Sequence, residues 1–118
     1  MLGHLEQPRH PNMEFQADSF AMIYTLDLLN SKKGSSYFIL FSLASLYILL
    51  FISEKSRGTM DPNYPPVMDR VAAIVKQLSN EYKKQFINMW NYIIYAVNEP
   101  LVIHRKIEIP FLEYREPS

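Results

Sequence analysis

The side chains that could carry acid–base or metal chemistry are scattered along this sequence. All three histidines lie outside the apolar segments predicted to be helical, so no regular backbone holds a second ligand at the i+3 or i+4 spacing of a helical metal site. They are His4, His10 and His104. The glutamates near the end of the chain lie on a tail without a rigid frame for an acid–base pair. They are Glu99, Glu108, Glu113 and Glu116.

Composition excludes several other reaction centres. The chain has no cysteine, so it can form no disulfide, thiolate nucleophile or cysteine-ligated zinc site. Its three glycines stand far apart, whereas a phosphate-cradling loop needs several glycines at fixed spacing. Twelve basic and twelve acidic side chains cancel, which argues against binding to nucleic acid. We therefore predict a protein that is not an enzyme and that has no cofactor, metal or small-molecule substrate.

An apolar run at residues 35–53, SSYFILFSLASLYILLFIS, determines the predicted architecture. It contains no charge, proline or glycine. A bilayer core of about 30 Å requires roughly 20 apolar residues at about 1.5 Å per residue in a helix. The run is therefore predicted to be a single transmembrane helix, and the alternative is a buried helix in the core of a soluble protein.

Serines follow one side of this predicted span, and a tyrosine lies nearly opposite. Small residues such as Ser42 and Ser45 permit close approach of a partner helix. The alternative is that each hydroxyl bonds the carbonyl four residues before it. The phenol of Tyr47 lies well inside the apolar run and requires a hydrogen-bond partner, which indicates protein on that side as well.

Residues 1–34 are predicted to comprise a polar arm and an amphipathic helix over residues 13–30. The apolar positions are spaced mostly three or four apart, as on one helical face, and are Phe15, Phe20, Ile23, Leu26 and Leu29. Lysines and a glycine after Asn30 are typical of a helix C-terminus. The helix is expected to lie on the membrane surface or against a neighbour, and the alternative is the first arm of a membrane hairpin.

After a connector at residues 54–66, residues 67–98 are predicted to form one long amphipathic helix that ends at Asn98 and Pro100. About 31 residues give a rod of about 46 Å, longer than the rest of the chain can cover, so its apolar stripe indicates a partner protein. With Ser42, Ser45 and Tyr47, the predicted partner contacts are Leu78, Tyr82, Phe86, Met89, Trp90 and Ile93.

Residues 99–118 are predicted to be an extended tail, because apolar and polar residues alternate from Leu101 to Ile109. The tail is expected either to add to a sheet of another protein or to run as an extended strap.

The resulting prediction is an all-α membrane protein with a single pass, whose partners are the bilayer and other subunits of a membrane complex. The predicted function is that of a non-catalytic accessory subunit, most plausibly of a respiratory-chain complex or the ATP synthase in the mitochondrial inner membrane. The location rests on the many small single-span subunits of such complexes. The alternative is a single-span adaptor whose long helix recruits a soluble partner.

Overall fold

The computed structural model describes residues 11–31, 35–57 and 65–115, and within these ranges the chain is helical with no strand. The helices are α1 (Pro11–Ser31), α2 (Ser36–Ser56), α3 (Val67–Gln77) and α4 (Asn80–Arg105), followed by an extended tail at residues 106–115. The prediction of an all-α fold is confirmed. The polar arm at residues 1–10 and most of the connector lie outside the described residues.

Helix α2 contains the predicted transmembrane segment. It begins one residue after the predicted start, includes three residues beyond the predicted end, and measures about 32 Å over its 21 residues. It is the one helix among the described residues that is long and apolar enough to cross a membrane. Only 33% of its apolar window is buried within the chain, whereas the core helix of a soluble protein is mostly buried. The remainder of the helix is exposed.

Helix α1 has the predicted extent but not the predicted amphipathic character. Asp18, Met22 and Leu29 face inward, at 5%, 0% and 3% exposure. Phe20 and Ile23, predicted to share a buried face, are 64% and 62% exposed. The prediction of an amphipathic helix was wrong because α1 is apolar on both sides, and α2 and α3 pack on the side that carries Asp18.

The prediction of one continuous helix over residues 67–98 was also wrong, because the chain breaks between α3 and α4. Leu78 is extended, with ψ at 146°, although its side chain remains buried. Ser79 then caps α4 by accepting a hydrogen bond from the Tyr82 N–H at 3.5 Å. At the other end of α3, Glu54 of α2 accepts the Val67 N–H at 2.8 Å. Two shorter helices can fold back on α2 where one rod could not.

Helix α4 ends at Arg105 rather than at Asn98 and Pro100, so the first part of the predicted tail is helical. Pro100 lies inside the helix and removes one backbone hydrogen bond. The packing of Leu101 against the core and the burial of residues beyond the helix offset that loss. The helix ends with a hydrogen bond from the Ile107 N–H to the Leu101 carbonyl oxygen at 3.2 Å. After this capping bond the chain turns back along α4.

The turn at the end of α4 places Lys106 in the left-handed region, at φ 55°. A residue with a Cβ atom is strained there, and glycine is not. We expect Lys106→Gly to raise the free energy of unfolding by about 0.5–1 kcal/mol. Thermal unfolding in detergent would measure the change, and Lys83→Gly, inside α4, would destabilise the protein by a similar amount and provides the matched control. A lower stability for Lys106→Gly would contradict the strain argument.

The apolar stripe of the two C-terminal helices is covered by the chain itself. Leu78, Phe86 and Trp90 are 4%, 0% and 0% exposed and belong to the same core as the inner face of α2. Tyr82 and Ile93 are half-buried against this core. The interpretation that another protein must cover the stripe was therefore wrong, because it assumed a rigid rod and a detached tail.

Candidate functional site

The most distinctive local arrangement is a polar cluster that joins three helices. Asp18 of α1 is the one buried charged or polar residue among those described, with 5% of its surface exposed. Arg70 of α3 donates to it twice, from Nε to Oδ2 and from Nη2 to Oδ1, each at 2.8 Å. This fork geometry matches guanidinium to carboxylate and is the strongest form of the ion pair.

Tyr47 of α2 is the third member of the polar cluster, which comprises Asp18, Tyr47 and Arg70. Its hydroxyl donates to Asp18 Oδ1, and its ring lies 5.5 Å from the Arg70 guanidinium carbon, within range of a cation–π contact. Tyr47 is itself only 2% exposed. The phenol therefore has the partner that the sequence indicated, and that partner belongs to the same chain.

The polar cluster is buried and its side chains bond one another, unlike those of an open reaction centre. Both Asp18 oxygens accept hydrogen bonds, and the side chains of Asp18 and Arg70 are only 6% and 12% exposed. Moving a charge out of water is costly unless it is paired and hydrogen-bonded. Here the two opposite charges are paired through two hydrogen bonds. The cluster therefore fixes how α1, α2 and α3 pack. Among the described residues, no three histidine, aspartate or glutamate side chains gather as a metal site would require.

A second polar arrangement, the tail clamp, holds the extended tail on α4 and consists of Trp90, Asn91 and Asn98. The Asn98 amide bonds the N–H and C=O of Ile109 at 3.0 and 3.1 Å. The Asn91 amide bonds the N–H and C=O of Leu112 at 2.8 and 2.9 Å. Trp90 Nε1 donates to the Pro110 carbonyl at 2.9 Å.

The spacing of the tail clamp follows from the geometry of the two backbones. Asn91 and Asn98 are two helical turns apart, about 10.5 Å along α4, and the three steps from Ile109 to Leu112 span about 10 Å when the chain is extended. Each amide thus substitutes for a neighbouring strand by satisfying both polar groups of one tail residue. The expected strap is present, and its support comes from within the chain.

We expect Asn98→Ala to release the tail, because the Ile109 N–H and C=O lose their partners beside a side chain that is 0% exposed. Leaving buried backbone groups unpaired costs about 1–3 kcal/mol, so amide hydrogen exchange at Ile109 should accelerate roughly tenfold. Asn88→Ala, at an exposed position of the same helix, is the matched control and should leave that rate unchanged. Equal exchange in the two variants would show that the tail is held by other contacts.

The outer apolar face comprises the exposed sides of α1 and α2, which point away from each other because α1 packs on the Tyr47 side of α2 and the exposed side of α2 is opposite Tyr47. Its large side chains are between 43% and 73% exposed and are Phe20, Ile23, Tyr24, Leu28, Tyr37, Phe38, Phe41, Leu46 and Leu49. Hydroxyls on these two helices bond their own backbones: Ser19 donates to Phe15 O and Thr25 to Ala21 O at 2.9 Å, and Ser42 donates to Phe38 O at 3.0 Å. These hydroxyls therefore require no polar partner from outside the chain.

An open cleft of about 520 Å³ lies on the α1 part of this face. The described residues that line it are Phe15, Gln16, Ser19, Phe20 and Ile23, none of which is ionisable. This lining suits contact with an apolar surface. The described lining residues include no acid, no base and no activated nucleophile.

The predicted partner contacts occupy three environments. Ser42 is exposed and bonded to its own backbone, and Ser45 is half-buried. Tyr47, Leu78, Phe86 and Trp90 are buried within the chain. Tyr82, Met89 and Ile93 are half-buried and retain some surface. Contact of any of them with another protein stays a prediction.

Sequence reasoning did not identify four residues that organise the structure: Asp18, Arg70, Asn91 and Asn98. Asp18 lies 29 and 52 positions from its partners, so no local spacing reveals the cluster. An aspartate within an apolar helix was the available signal, since such a residue is costly unless paired, but the exposed Asp27 of the same helix gives the same signal.

Comparison of the chain with protein-family models, curated proteins and solved structures finds no match.

Proposed function

We propose that this protein is a non-catalytic structural subunit of a larger membrane protein complex, anchored in the bilayer by α2 in a single pass. The observation that carries the proposal is the outer apolar face. Helix α2 is about as long as the hydrocarbon core is thick, and Phe38 and Leu49 on its outer side are 71% and 64% exposed. An apolar surface of this extent is typical of contact with lipid or another protein.

The polar cluster supports a role as a subunit rather than as an isolated anchor. It ties Arg70, and with it α3, to the middle of α2. Two charged residues of α3, Asp69 and Lys76, are exposed. Val67, two residues before Asp69, bonds Glu54 near the end of α2, and Lys76 lies about 14 Å further along α3. If α2 crosses the bilayer, Lys76 therefore lies at membrane depth, where lipid contact with a charge costs several kcal/mol. Another protein, with or without bound water, has to cover this side.

We place the complex in the mitochondrial inner membrane, as a respiratory-chain assembly or the ATP synthase, on the general ground that such assemblies contain many small single-span subunits. The adaptor hypothesis requires a free apolar stripe on a long helix. The break at Leu78 and Ser79 and the burial of Phe86 and Trp90 leave no such stripe, so we favour the subunit.

The proposal is tested with a tagged full-length chain in its native membranes. The chain should remain in the membrane pellet after alkaline carbonate extraction, and after mild solubilisation it should migrate on native gels with a complex of several hundred kilodaltons. Mass spectrometry of that band would identify the partners. Release by carbonate would refute the membrane anchor, and migration as a small species would refute the subunit role.

A charge-reversal pair localises the partner surface. Lys76→Glu should shift the chain out of the large complex while leaving carbonate resistance intact, because the exposed face of α3 would no longer match its partner. Glu113→Lys, at an 81% exposed tail side chain, is the control and should comigrate with the wild type. Equal migration of both variants would show that the partner binds elsewhere.

A further inference from the structure

We infer that α1 enters the bilayer beside α2, as the second arm of a helical hairpin whose outer apolar face contacts lipid acyl chains. The inference rests on the proposed function in one respect, that α2 lies in the bilayer. It revises the single pass proposed above to two membrane-embedded helices, because it also assigns a membrane-embedded position to α1, a helix that by itself is too polar to be recognised as a span.

The depth of α1 follows from the polar cluster. The Tyr47 hydroxyl bonds Asp18, and Tyr47 lies near the middle of α2. Asp18 precedes the end of α1 at Ser31 by about 20 Å of helix, and Tyr47 follows the start of α2 at Ser36 by about 17 Å. The two helices therefore run antiparallel from their connection, and at the level of Tyr47 they lie at the same depth.

From Asp18 onward, the charges of α1 are arranged as this depth requires. Asp18 faces the interior and is neutralised by Arg70, which is how ionisable residues within membranes are accommodated. No charge follows it until Asp27, which is exposed. Asp27 lies only about 6 Å along the helix from Ser31, close to the level at which α2 begins. That level corresponds to the headgroups, where an exposed carboxylate is tolerated.

The outward surface of α1 between these aspartates suits hydrocarbon. Phe20, Ile23 and Tyr24 are 64%, 62% and 73% exposed. The Ser19 and Thr25 hydroxyls each donate to their own helix at 2.9 Å, so neither presents an unsatisfied donor. This surface points away from α2, because Asp18 on the other side of α1 bonds Tyr47. The hairpin therefore presents apolar side chains on both of its outer sides, as contact with hydrocarbon requires.

The absence of cysteine from the chain allows a direct test. A nitroxide spin label is attached to single-cysteine variants of the purified full-length chain in phosphatidylcholine vesicles. Ile23→Cys reports on α1, Leu49→Cys on the outer side of α2, and Asn88→Cys on an exposed polar position of α4. Collisions with oxygen, which partitions into lipid, are compared with collisions with a water-soluble nickel complex. Circular dichroism of each labelled variant verifies that the helices are retained.

For Ile23→Cys and Leu49→Cys, the ratio of oxygen to nickel collisions should exceed that of Asn88→Cys by roughly tenfold, because the water-soluble nickel complex is excluded from hydrocarbon. A high ratio for Leu49→Cys with a low ratio for Ile23→Cys would overturn the inference and leave the proposed function standing. Low ratios at both positions would overturn both. Protection of Ile23→Cys from both reagents would assign this face to protein contact and would also overturn the inference.

Discussion

Replacing Arg70 by methionine is expected to lower the free energy of unfolding by about 3–5 kcal/mol, because it removes the cation from a buried carboxylate. Methionine preserves much of the aliphatic packing, so the loss reports mainly on charge. Asp18 would keep only its bond to the Tyr47 hydroxyl in a site where it is 5% exposed. Reversible unfolding in detergent, followed by circular dichroism, measures the change.

Two further variants show whether the effect arises from charge burial. Arg57→Met removes an exposed arginine at the end of α2, bonded only loosely to Ser53 Oγ at 3.4 Å, and should change stability by less than about 0.5 kcal/mol. The triple variant Asp18→Leu, Tyr47→Phe and Arg70→Met replaces the whole polar cluster by apolar side chains and should recover most of the loss. If the triple variant were as unstable as Arg70→Met, the loss would have to come from packing.

Replacing Trp90 by alanine is expected to lower the free energy of unfolding by a similar amount, about 3–5 kcal/mol. Trp90 is 0% exposed, lies 6.2 Å from Phe86 between ring centroids, and donates to the Pro110 carbonyl. The substitution therefore opens a cavity in the core and removes one of the contacts that hold the tail. Urea unfolding monitored by far-ultraviolet circular dichroism is the suitable measurement, since the chain has no other tryptophan.

Variants on the same helix separate these contributions. Trp90→Phe keeps most of the buried ring and loses the indole N–H, so about 1–2 kcal/mol should be lost. Tyr95→Ala removes an aromatic ring that is 81% exposed and should be nearly neutral. Equal unfolding midpoints for Trp90→Ala and Tyr95→Ala would contradict the core position of Trp90.

The sequence predicted the helical class and the position of α2, because an uninterrupted apolar run has one stable local solution. It did not predict the break at Leu78 and Ser79, since the apolar periodicity continues through both positions while the chain direction changes. The continuation of α4 through Pro100 was also missed, in this case because a local sequence signal misled the prediction. A local breaker was given more weight than the packing of Leu101 and the buried tail residues beyond it.

The candidate sites were less accessible to sequence reasoning than the helices. The need of Tyr47 for a partner was evident from its type and place, but the identity of Asp18 as that partner depends on how α1 folds back. The role of Arg70 could not be predicted, because nothing in its own segment distinguishes a buried arginine from a solvated one. The amides of Asn91 and Asn98 have a helical spacing that acquires meaning only once the tail lies beside them.

The order of the polar cluster along the chain has a consequence for biosynthesis. Asp18, Tyr47 and Arg70 occur on successive helices, so a ribosome delivers the carboxylate first, the phenol second and the cation last. The α1–α2 hairpin consequently exists for a time with its acidic residue facing a groove that α3 has not yet filled. Translation of α3 supplies the missing countercharge, which makes docking of that short helix the step at which the nascent chain commits to its final arrangement.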